Sequence, residues 1–304
     1  MIEGFIGRLK SSYWIARTYY DISGKRLVIP RYLEKMGSLT AIKEAEESIS
    51  IAEKILPTGL ELSECFGRLV PLLFPSSFDE ILDPRSGPKI KSDKVAMRAL
   101  ELMKRLRDLS GSEDIGVTGG LLVGKRTEDI DIVVYGRRTC EQIYGILERE
   151  NLLEKYSERE AFELLIKRGQ KPITMELIDR EARKRLQGKY RGIDVYIRLI
   201  PAIPEKPLEC ERKVRKIGEV ERKVKILDAR ANYLYPCKYI AEEISTGARI
   251  SIQSDRGRFC ELFEEDEIAL VKGELEVVSE ENKNELSIYL WRKEHFMIPF
   301  RKVV

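Results

Sequence analysis

Three aspartates in apolar strands are the residues of this sequence best suited to chemistry. Asp129 and Asp131 stand in the run DIDIVVY, and Asp194 stands in the run GIDVYI. Side chains two residues apart on a strand point to the same face, about 6.6 Å apart along the chain, so Asp129 and Asp131 aim together. Such carboxylates repel each other and lose hydration beside a buried sheet, and Mg²⁺ or Mn²⁺ relieves both penalties. Three acids from two strands would hold two metal ions for phosphoryl displacement.

A glycine turn lies just upstream of these acids. Gly119 and Gly120 follow a short apolar strand, and a residue without a Cβ lets backbone N–H groups approach an anion closely. Lys125 and Arg126 lie in the loop before the Asp129 strand. They would neutralise the phosphates of a nucleoside triphosphate, although a solvated charged loop is the alternative interpretation. A glycine turn followed by two metal-directed acids is what the binding of a nucleoside triphosphate requires.

At these residues the sequence resembles the DNA polymerase β-like nucleotidyltransferase superfamily. The signature of that superfamily is a strand, Gly-Ser or Gly-Gly, a short loop, Asp-x-Asp and an acid on a later strand. More closely, the sequence looks like the archaeal predicted nucleotidyltransferases that carry a small N-terminal domain and a C-terminal β domain. Further matching runs are SFDEILDPRSG, RLQGKYRGIDVYIRLIP, YPCKYIAE and SDRGRFCELFEEDEIALVKGELE.

The resemblance implies a role for each residue of the signature. Asp129 and Asp131 would ligate Mg²⁺ or Mn²⁺, and Asp194 would complete the site and help to deprotonate the attacking hydroxyl. Gly119 and Gly120 would cradle the phosphates. Gly120 stands where many members have Ser, so the backbone alone would contact the phosphate there. The implied reaction transfers a nucleotidyl group from an NTP to a hydroxyl and releases pyrophosphate.

Two groups of basic residues indicate a nucleic-acid acceptor, for which we expect RNA, while a small molecule or a protein hydroxyl stays open. Clustered Lys and Arg side chains follow a phosphate backbone, although a solvated basic helix face is the alternative. The residues are Arg183, Lys184, Arg185, Lys189, Arg191, Arg256 and Arg258. A second hypothesis is a catalytically degenerate nucleotidyltransferase scaffold that acts as an RNA-binding or assembly protein.

The elements that must position these residues divide the sequence into three predicted domains, 1–90, 91–202 and 203–304. We predict an α+β protein: a nucleotidyltransferase mixed sheet with helices, a small N-terminal α+β domain, and a C-terminal β-barrel-like domain of OB type that could bind RNA. Apolar periodicity predicts helices and strands. The helices are 40–56, 93–109, 139–150, 157–168 and 174–186, and the strands around the acids are 115–120, 129–135 and 190–200.

Composition excludes several classes of protein. The 304 residues carry 54 Lys and Arg against 51 Asp and Glu, so the whole chain is not a polybasic nucleic-acid binder. We expect no signal peptide and no membrane span, because the apolar runs are shorter than about 20 residues. With His295 as the single histidine, a Ser-His-Asp or Cys-His mechanism is not expected.

The cysteines and the charge content indicate a cellular setting. Five scattered cysteines without a C-x-x-C pair predict reduced thiols in a cytoplasmic protein rather than a zinc site or a disulfide framework. A charged fraction of 35% lies above the average of about 25% and favours a thermophile.

Overall fold

The computed structural model shows a mixed α and β architecture, which confirms the α+β class. It describes residues 1–42, 44–56, 59–281 and 283–300. The chain divides into two compact units, and each unit is built from two segments of sequence. The first is Met1–Ile146 with Tyr190–Glu211, and the second is Leu147–Lys189 with Arg212–Val304. The first unit holds both the N-terminal strands and the strands of the three aspartates.

The first unit begins with a six-stranded sheet and one helix. In chain order the elements are β1 Ile6–Leu9, β2 Ser12–Ala16, β3 Tyr20–Asp21, β4 Arg26–Lys35, β5 Ser38–Ala41, α1 Ala45–Ile55, β6 Glu61–Ser63, β7 Arg68–Val70, β8 Leu72–Leu73 and β9 Glu80–Leu82. The sheet order is β5-β4-β2-β1-β9, and β8 also pairs with β4. The helix predicted from residue 40 starts later, because residues 40 and 41 pair with β4 as part of β5.

A four-stranded sheet carries the acidic motif. Its neighbourhood comprises α2 Lys94–Ser110, β10 Ile115–Val117, α3 Gly120–Val123, β11 Asp129–Tyr135 and α4 Arg137–Arg149. The remaining strands are β12 Gln187–Tyr190, β13 Ile193–Ile200 and β14 Leu208–Glu209, and α5 and α6 lie between α4 and β12 along the chain. The sheet order is β10-β11-β13-β12, while β14 pairs with β3. Asp93 caps α2 by accepting from the N–H groups of Val95 and Ala96, and Gly111 ends it in the left-handed conformation, as expected for a helix with an Asp cap and a glycine stop.

The second unit combines two helices with a six-stranded sheet. Its elements are α5 Glu158–Lys167, α6 Met175–Arg183, β15 Lys213–Ala231, β16 Cys237–Glu243, β17 Arg249–Ser254, β18 Ile268–Glu280, β19 Lys283–Tyr289 and β20 Phe296–Pro299. The sheet order is β15-β16-β17-β19-β18-β20, and β15 also pairs with β18. Its core contains the fully buried Tyr239, Phe259 and Phe263. The boundaries of α4 and α5 agree with the prediction within about two residues, whereas α6 ends three residues before the predicted position.

The cysteines differ from the prediction. Cys65 and Cys210 form a disulfide across 145 residues of sequence, so the expectation of five reduced thiols is wrong for this pair. The pairing of β14 with β3 brings the end of the first unit back to its beginning, which a linear spacing pattern does not reveal. Cys140, Cys237 and Cys260 are free and buried. Among the residues described, no helix combines the length and the apolar character needed to cross a membrane.

Candidate active site

The three predicted acids lie on one face of the four-stranded sheet. β11 and β13 run parallel, and their register places Asp129 opposite Asp194 and Asp131 opposite Tyr196. Registered residues of neighbouring strands point to the same face, with the two strands about 4.8 Å apart. Asp131 shares that face with Asp129 because it lies two positions further along the same strand. The strand register therefore brings the carboxylates of Asp129, Asp131 and Asp194 to the same side of the sheet.

The side chains of the three acids are not arranged to coordinate a metal ion in this structure. Within the described parts of the chain, no group of three His, Cys, Asp or Glu side chains is arranged to hold a metal ion. Asp129 and Asp194 are exposed, whereas Asp131 is partly buried. The strand register therefore fixes the common face, but the side chains on it do not converge into a metal-ligand set among the described residues.

The electrostatics of Asp131 suit a cation. Burial and, next, the negative charge of Asp129 raise the pKa of Asp131 to about 6, while the nearby Arg198 and Arg31 act in the opposite direction. A carboxylate with a raised pKa is one whose ionised form lacks sufficient positive charge or hydration. A divalent ion between the acids would supply that charge, and carboxylate oxygens are its preferred ligands. Carboxylate oxygens are thus the right kind of ligand for Mg²⁺ or Mn²⁺, but three such groups are not brought together among the described residues.

The glycine turn stands directly against these acids. Gly119 has a φ of +69°, and a Cβ added to it would lie 2.6 Å from the Oδ2 atom of Asp131. At Gly120 an added Cβ would lie 3.3 Å from Cγ2 of Thr127, so the Ser of many superfamily members would crowd Thr127. The turn opens α3, whose first N–H groups have no partner within the helix. The turn can therefore donate backbone N–H groups to an anion next to Asp131.

Thr127 is a site neighbour that the sequence pattern did not single out. Its hydroxyl donates to the Oδ1 carboxylate oxygen of Asp129, and the backbone N–H of Asp129 lies 3.0 Å from the Thr127 Oγ1 that it donates to. This local loop closure orients the Asp129 side chain. Thr hydroxyls can hydrogen-bond the backbone two residues on, and this is the local signal that points to the contact.

Lys89 and Lys125 lie beside the segment that follows the glycine turn. The backbone N–H of Lys125 donates to the Gly120 carbonyl at 2.8 Å, and the backbone N–H of Lys89 donates to the Leu121 carbonyl at 3.0 Å. The stem of Lys89 also runs beside Gly124, where an added Cβ would be 3.4 Å from Cδ of Lys89. Across residues 1–42, 44–56, 59–281 and 283–300, the side chains of Lys89, Lys125 and neighbouring Arg126 form no ion pair. Their charge is available to an anion; Lys89 was missed because it lies far upstream.

The N-terminal segment covers the sheet face beyond the acids. Thr118 donates its hydroxyl proton to the Gly4 carbonyl at 2.5 Å, and the Tyr135 hydroxyl donates to the Glu3 carbonyl at 3.0 Å. The Glu3 side chain is fully buried and pairs with Nη1 of Arg198 at 2.5 Å. The open part of this face is therefore the end that carries the aspartates. No local pattern links residue 3 to residue 198, so sequence reasoning missed this cover.

Two of the predicted nucleic-acid contacts are buried. The Lys184 ammonium pairs with Glu181 at 2.7 Å and donates to the Arg258 carbonyl at 2.8 Å. The Arg258 guanidinium donates to the carbonyls of Arg292 at 2.8 Å and His295 at 3.2 Å. Buried cations require such partners, and these partners are all protein groups. The prediction that Lys184 and Arg258 contact nucleic acid is corrected to a structural role in the second unit.

The other predicted basic residues lie nearer the surface, and most form ion pairs. The pairs are Arg183 with Asp179 at 2.9 Å, Arg185 with Glu148 at 2.6 Å, Lys189 with Glu160, and Arg191 with Glu101 at 2.5 Å, while Arg256 is partly buried. Surface ion pairs contribute about 0–1 kcal/mol each, so phosphate groups can replace the carboxylates at little cost. RNA binding by these residues stays a prediction.

Comparison of the chain with family models, with curated proteins and with solved structures gives no match. What the site can do must consequently be argued from the acids, the glycine turn and their geometry alone.

Proposed function

We propose that the protein is a divalent-metal-dependent nucleotidyltransferase that transfers a nucleotidyl group from an NTP to a hydroxyl acceptor. The observation that carries the proposal is the parallel register of Asp129 with Asp194, together with the contact of Asp131 with the glycine turn. This arrangement supports a metal–triphosphate site, because it combines carboxylates on one face with backbone donors and unpaired cations. Neither the acids alone nor the glycines alone would carry it.

Each group then has a distinct task. Asp129 and Asp131 would hold Mg²⁺ or Mn²⁺, which supplies Lewis-acid stabilisation of the charge on the transferred phosphate. Asp194, directly across from Asp129, would accept the proton of the attacking hydroxyl. The N–H groups at Gly119 and Gly120 would bind phosphate oxygens.

The cations and Thr127 would complete the donor side of the site. Lys125, Arg126 and Lys89 would balance the charge of the phosphate tail and of departing pyrophosphate. Thr127 would hold the Asp129 carboxylate in place. These residues act on binding and orientation, so their loss should weaken the reaction without abolishing it.

RNA is the acceptor that the second unit favours. Strands β15, β16, β17, β19 and β18 follow one another by pairing, and the β15–β18 pairing returns to the first strand. The pairing between β17 and β19 is parallel, and the other pairings are antiparallel. We interpret this cyclic order as a five-stranded barrel of the OB type, a class that often binds oligonucleotides.

One observation favours a second candidate, a catalytically degenerate scaffold that binds RNA or assists assembly. It is the lack, among the described residues, of three acids already gathered for a metal ion. A scaffold of this kind would bind RNA with an affinity that falls steeply with salt, but it would respond to neither Mg²⁺ nor NTP.

We place the protein in the cytoplasm, where NTPs are available. Disulfides are rare in cytosolic proteins except those of hyperthermophiles, so the Cys65–Cys210 disulfide makes a hyperthermophilic source part of this proposal. The high charge content favours the same kind of source.

The test is labelling by each radioactive NTP with Mg²⁺ or Mn²⁺, in the presence of total RNA and protein. We expect the wild type and the matched control Glu128→Ala to transfer label, and Asp129→Ala and Asp131→Ala to transfer none while circular dichroism shows an intact fold. Label retained by either aspartate variant would remove the metal-site assignment. RNA binding without any transfer by the wild type would favour the scaffold.

A further inference from the structure

An extra residue interrupts the pairing of β2 with β4. Tyr13 pairs with Tyr32, but the next residue, Trp14, pairs with Pro30. Arg31 is therefore left over in β4, which is the definition of a β-bulge. Bulges bend the strand and re-aim side chains, and they occur often beside active sites.

The bulge changes which side chains face α3. Ile29 and Tyr32 pack into one apolar cluster with Leu122 and Val123 of α3. Residues three apart on a regular strand point to opposite faces, so this shared cluster requires the register shift at Arg31. The bulge turns Tyr32 toward α3 and places Arg31 at the same point of the strand.

Packing places this point of β4 beside the candidate active site. Tyr32 packs against Leu122 and Val123 of α3, and Gly119, directly before α3, stands against the Oδ2 atom of Asp131. The positive charge of Arg31 also acts on Asp131. Burial raises the pKa of Tyr32 to about 12, and the charges of Asp131 and Asp129 act in the same direction. Both bulge residues thus interact with the acids of β11.

The guanidinium of Arg31 has more N–H donors than its hydrogen bonds within the protein use. One nitrogen, Nη1, donates to the Ile42 carbonyl, and the group also lies within hydrogen-bonding reach of the Tyr32 side chain. In the parts of the chain that the structure describes, Arg31 forms no ion pair with Asp or Glu. A guanidinium carries five N–H donors in a planar fork that matches phosphate. An arginine with this capacity beside a cluster of acids is suited to a phosphate group of a metal-bound nucleotide.

We propose that Arg31 is a substrate-positioning residue that binds a phosphate group of the nucleotide donor, and that the β4 bulge exists to deliver it. The proposal rests on the proposed nucleotidyltransferase function and extends the site into the N-terminal sheet. It predicts that Arg31 acts on nucleotide affinity and much less on the chemical step, because the acids of β11 and β13 remain in place.

The experiment compares Arg31→Gln and Arg31→Lys with the wild type. The matched control is Arg8→Gln, an arginine of the same sheet whose guanidinium pairs with Glu34 at 3.3 Å on the surface. Calorimetry with Mg²⁺ and inorganic tripolyphosphate measures phosphate binding, and turnover with ATP separates KM from kcat. We expect Arg31→Gln to weaken tripolyphosphate binding and to raise KM at least tenfold, Arg31→Lys to raise KM severalfold, and Arg8→Gln to behave as the wild type.

Unchanged affinity and KM in folded Arg31→Gln would overturn the proposal. If that variant does not fold, Arg31→Lys decides, since an unchanged KM in this variant would overturn it equally. Asp129→Ala keeps the two proposals apart. If the wild type turns over ATP, Asp129→Ala does not, and Arg31→Gln has the wild-type KM, only the role of Arg31 fails. If the wild type itself neither binds tripolyphosphate nor turns over an NTP, the proposed function fails and Arg31 loses its role with it.

Discussion

The Oδ2 atom of Asp131 lies 2.6 Å from the point where a Cβ on Gly119 would stand. The acid and the turn therefore form one structural unit, in which the space left by the missing side chain is filled by the carboxylate. This contact explains why a glycine is required at position 119 for reasons beyond its positive φ.

Substitution of Gly119 should show this double requirement. Gly119→Ala must adopt a positive φ and also displace Asp131, so we expect a loss of turnover and a destabilisation of about 2–4 kcal/mol. The matched control is Gly111→Ala, because Gly111 has a φ of +66° and open space around an added Cβ. This control should lose about 1–2 kcal/mol and keep its activity. Denaturant unfolding and NTP turnover measure both; equal losses in the two variants would contradict the contact with Asp131.

The pH dependence of stability should identify Asp131 as an unfavourable charge. Its pKa is about 6 in the folded chain and about 3.9 in an unfolded one, so the folded state binds more protons between these values. Stability contributed by this group is present at low pH and falls as the pH rises from about 4 to 6. We expect Asp131→Asn to be more stable than the wild type at pH 7.5 by about 2 kcal/mol, with the difference vanishing below about pH 4.

Thermal unfolding across this pH range tests that expectation. Exposed Asp129→Asn is the control and should give a smaller gain. Mg²⁺ with ATP should raise the Tm of the wild type at pH 7.5 but not that of Asp131→Asn. A less stable Asp131→Asn at pH 7.5 would show that the carboxylate is favourable where it stands.

Loss of the Thr127 hydroxyl should disorder the Asp129 side chain. Thr127→Val keeps the shape of the side chain but removes every hydrogen bond that Oγ1 makes with Asp129. We expect turnover to fall about tenfold, equivalent to about 1.4 kcal/mol, while Thr127→Ser stays near the wild type. Steady-state kinetics of the two variants give the answer. Equal activity of the Val and Ser variants would leave Thr127 without a role in orientation.

Removal of the Cys65–Cys210 bridge should destabilise the first unit. A disulfide typically contributes about 2–4 kcal/mol, and the contribution rises with the length of the loop that it closes. Reductant should lower the Tm of the wild type but not that of Cys65→Ser/Cys210→Ser, whose Tm should already be low. Calorimetry with and without reductant measures the four values. If thiol titration confirms that the reductant has opened the bridge and the wild-type Tm is unchanged, the bridge does not stabilise the protein.

Local patterns predicted the elements of the site well. The alternation of acids with Ile and Val in DIDIVVY gave β11 with its bounds unchanged, and the acid inside YRGIDVYIRLI gave the β13 strand that lies beside it. Period-two alternation fixes which residues share a face, so the common face of Asp129 and Asp131 followed from the sequence. The pairing of β13 with β11 in this register was the additional fact that placed Asp194 with them.

Features that depend on distant parts of the chain were not predictable. The sequence predicted that Lys184 and Arg258 belong to a basic surface, yet the fold of the second unit buries both side chains against backbone carbonyls. Cys65 and Cys210 meet only because β14 returns to β3. The residues next to a charged side chain or a thiol in the sequence do not indicate which distant residue will be its partner. The periodicity of a strand or helix, in contrast, can be recognised within a few residues.

The bulge in β4 has a consequence for how relatives of this chain would be aligned. One residue more or less in that strand changes which side chain reaches the acids of β11, although every position of the glycine and Asp-x-Asp signature stays the same. A protein with an intact signature and an uninterrupted β4 would keep its aspartates and lose the arginine beside them. If Arg31 has the role proposed for it, strand length counted to a single residue outside the motif would distinguish two kinds of site that share one signature.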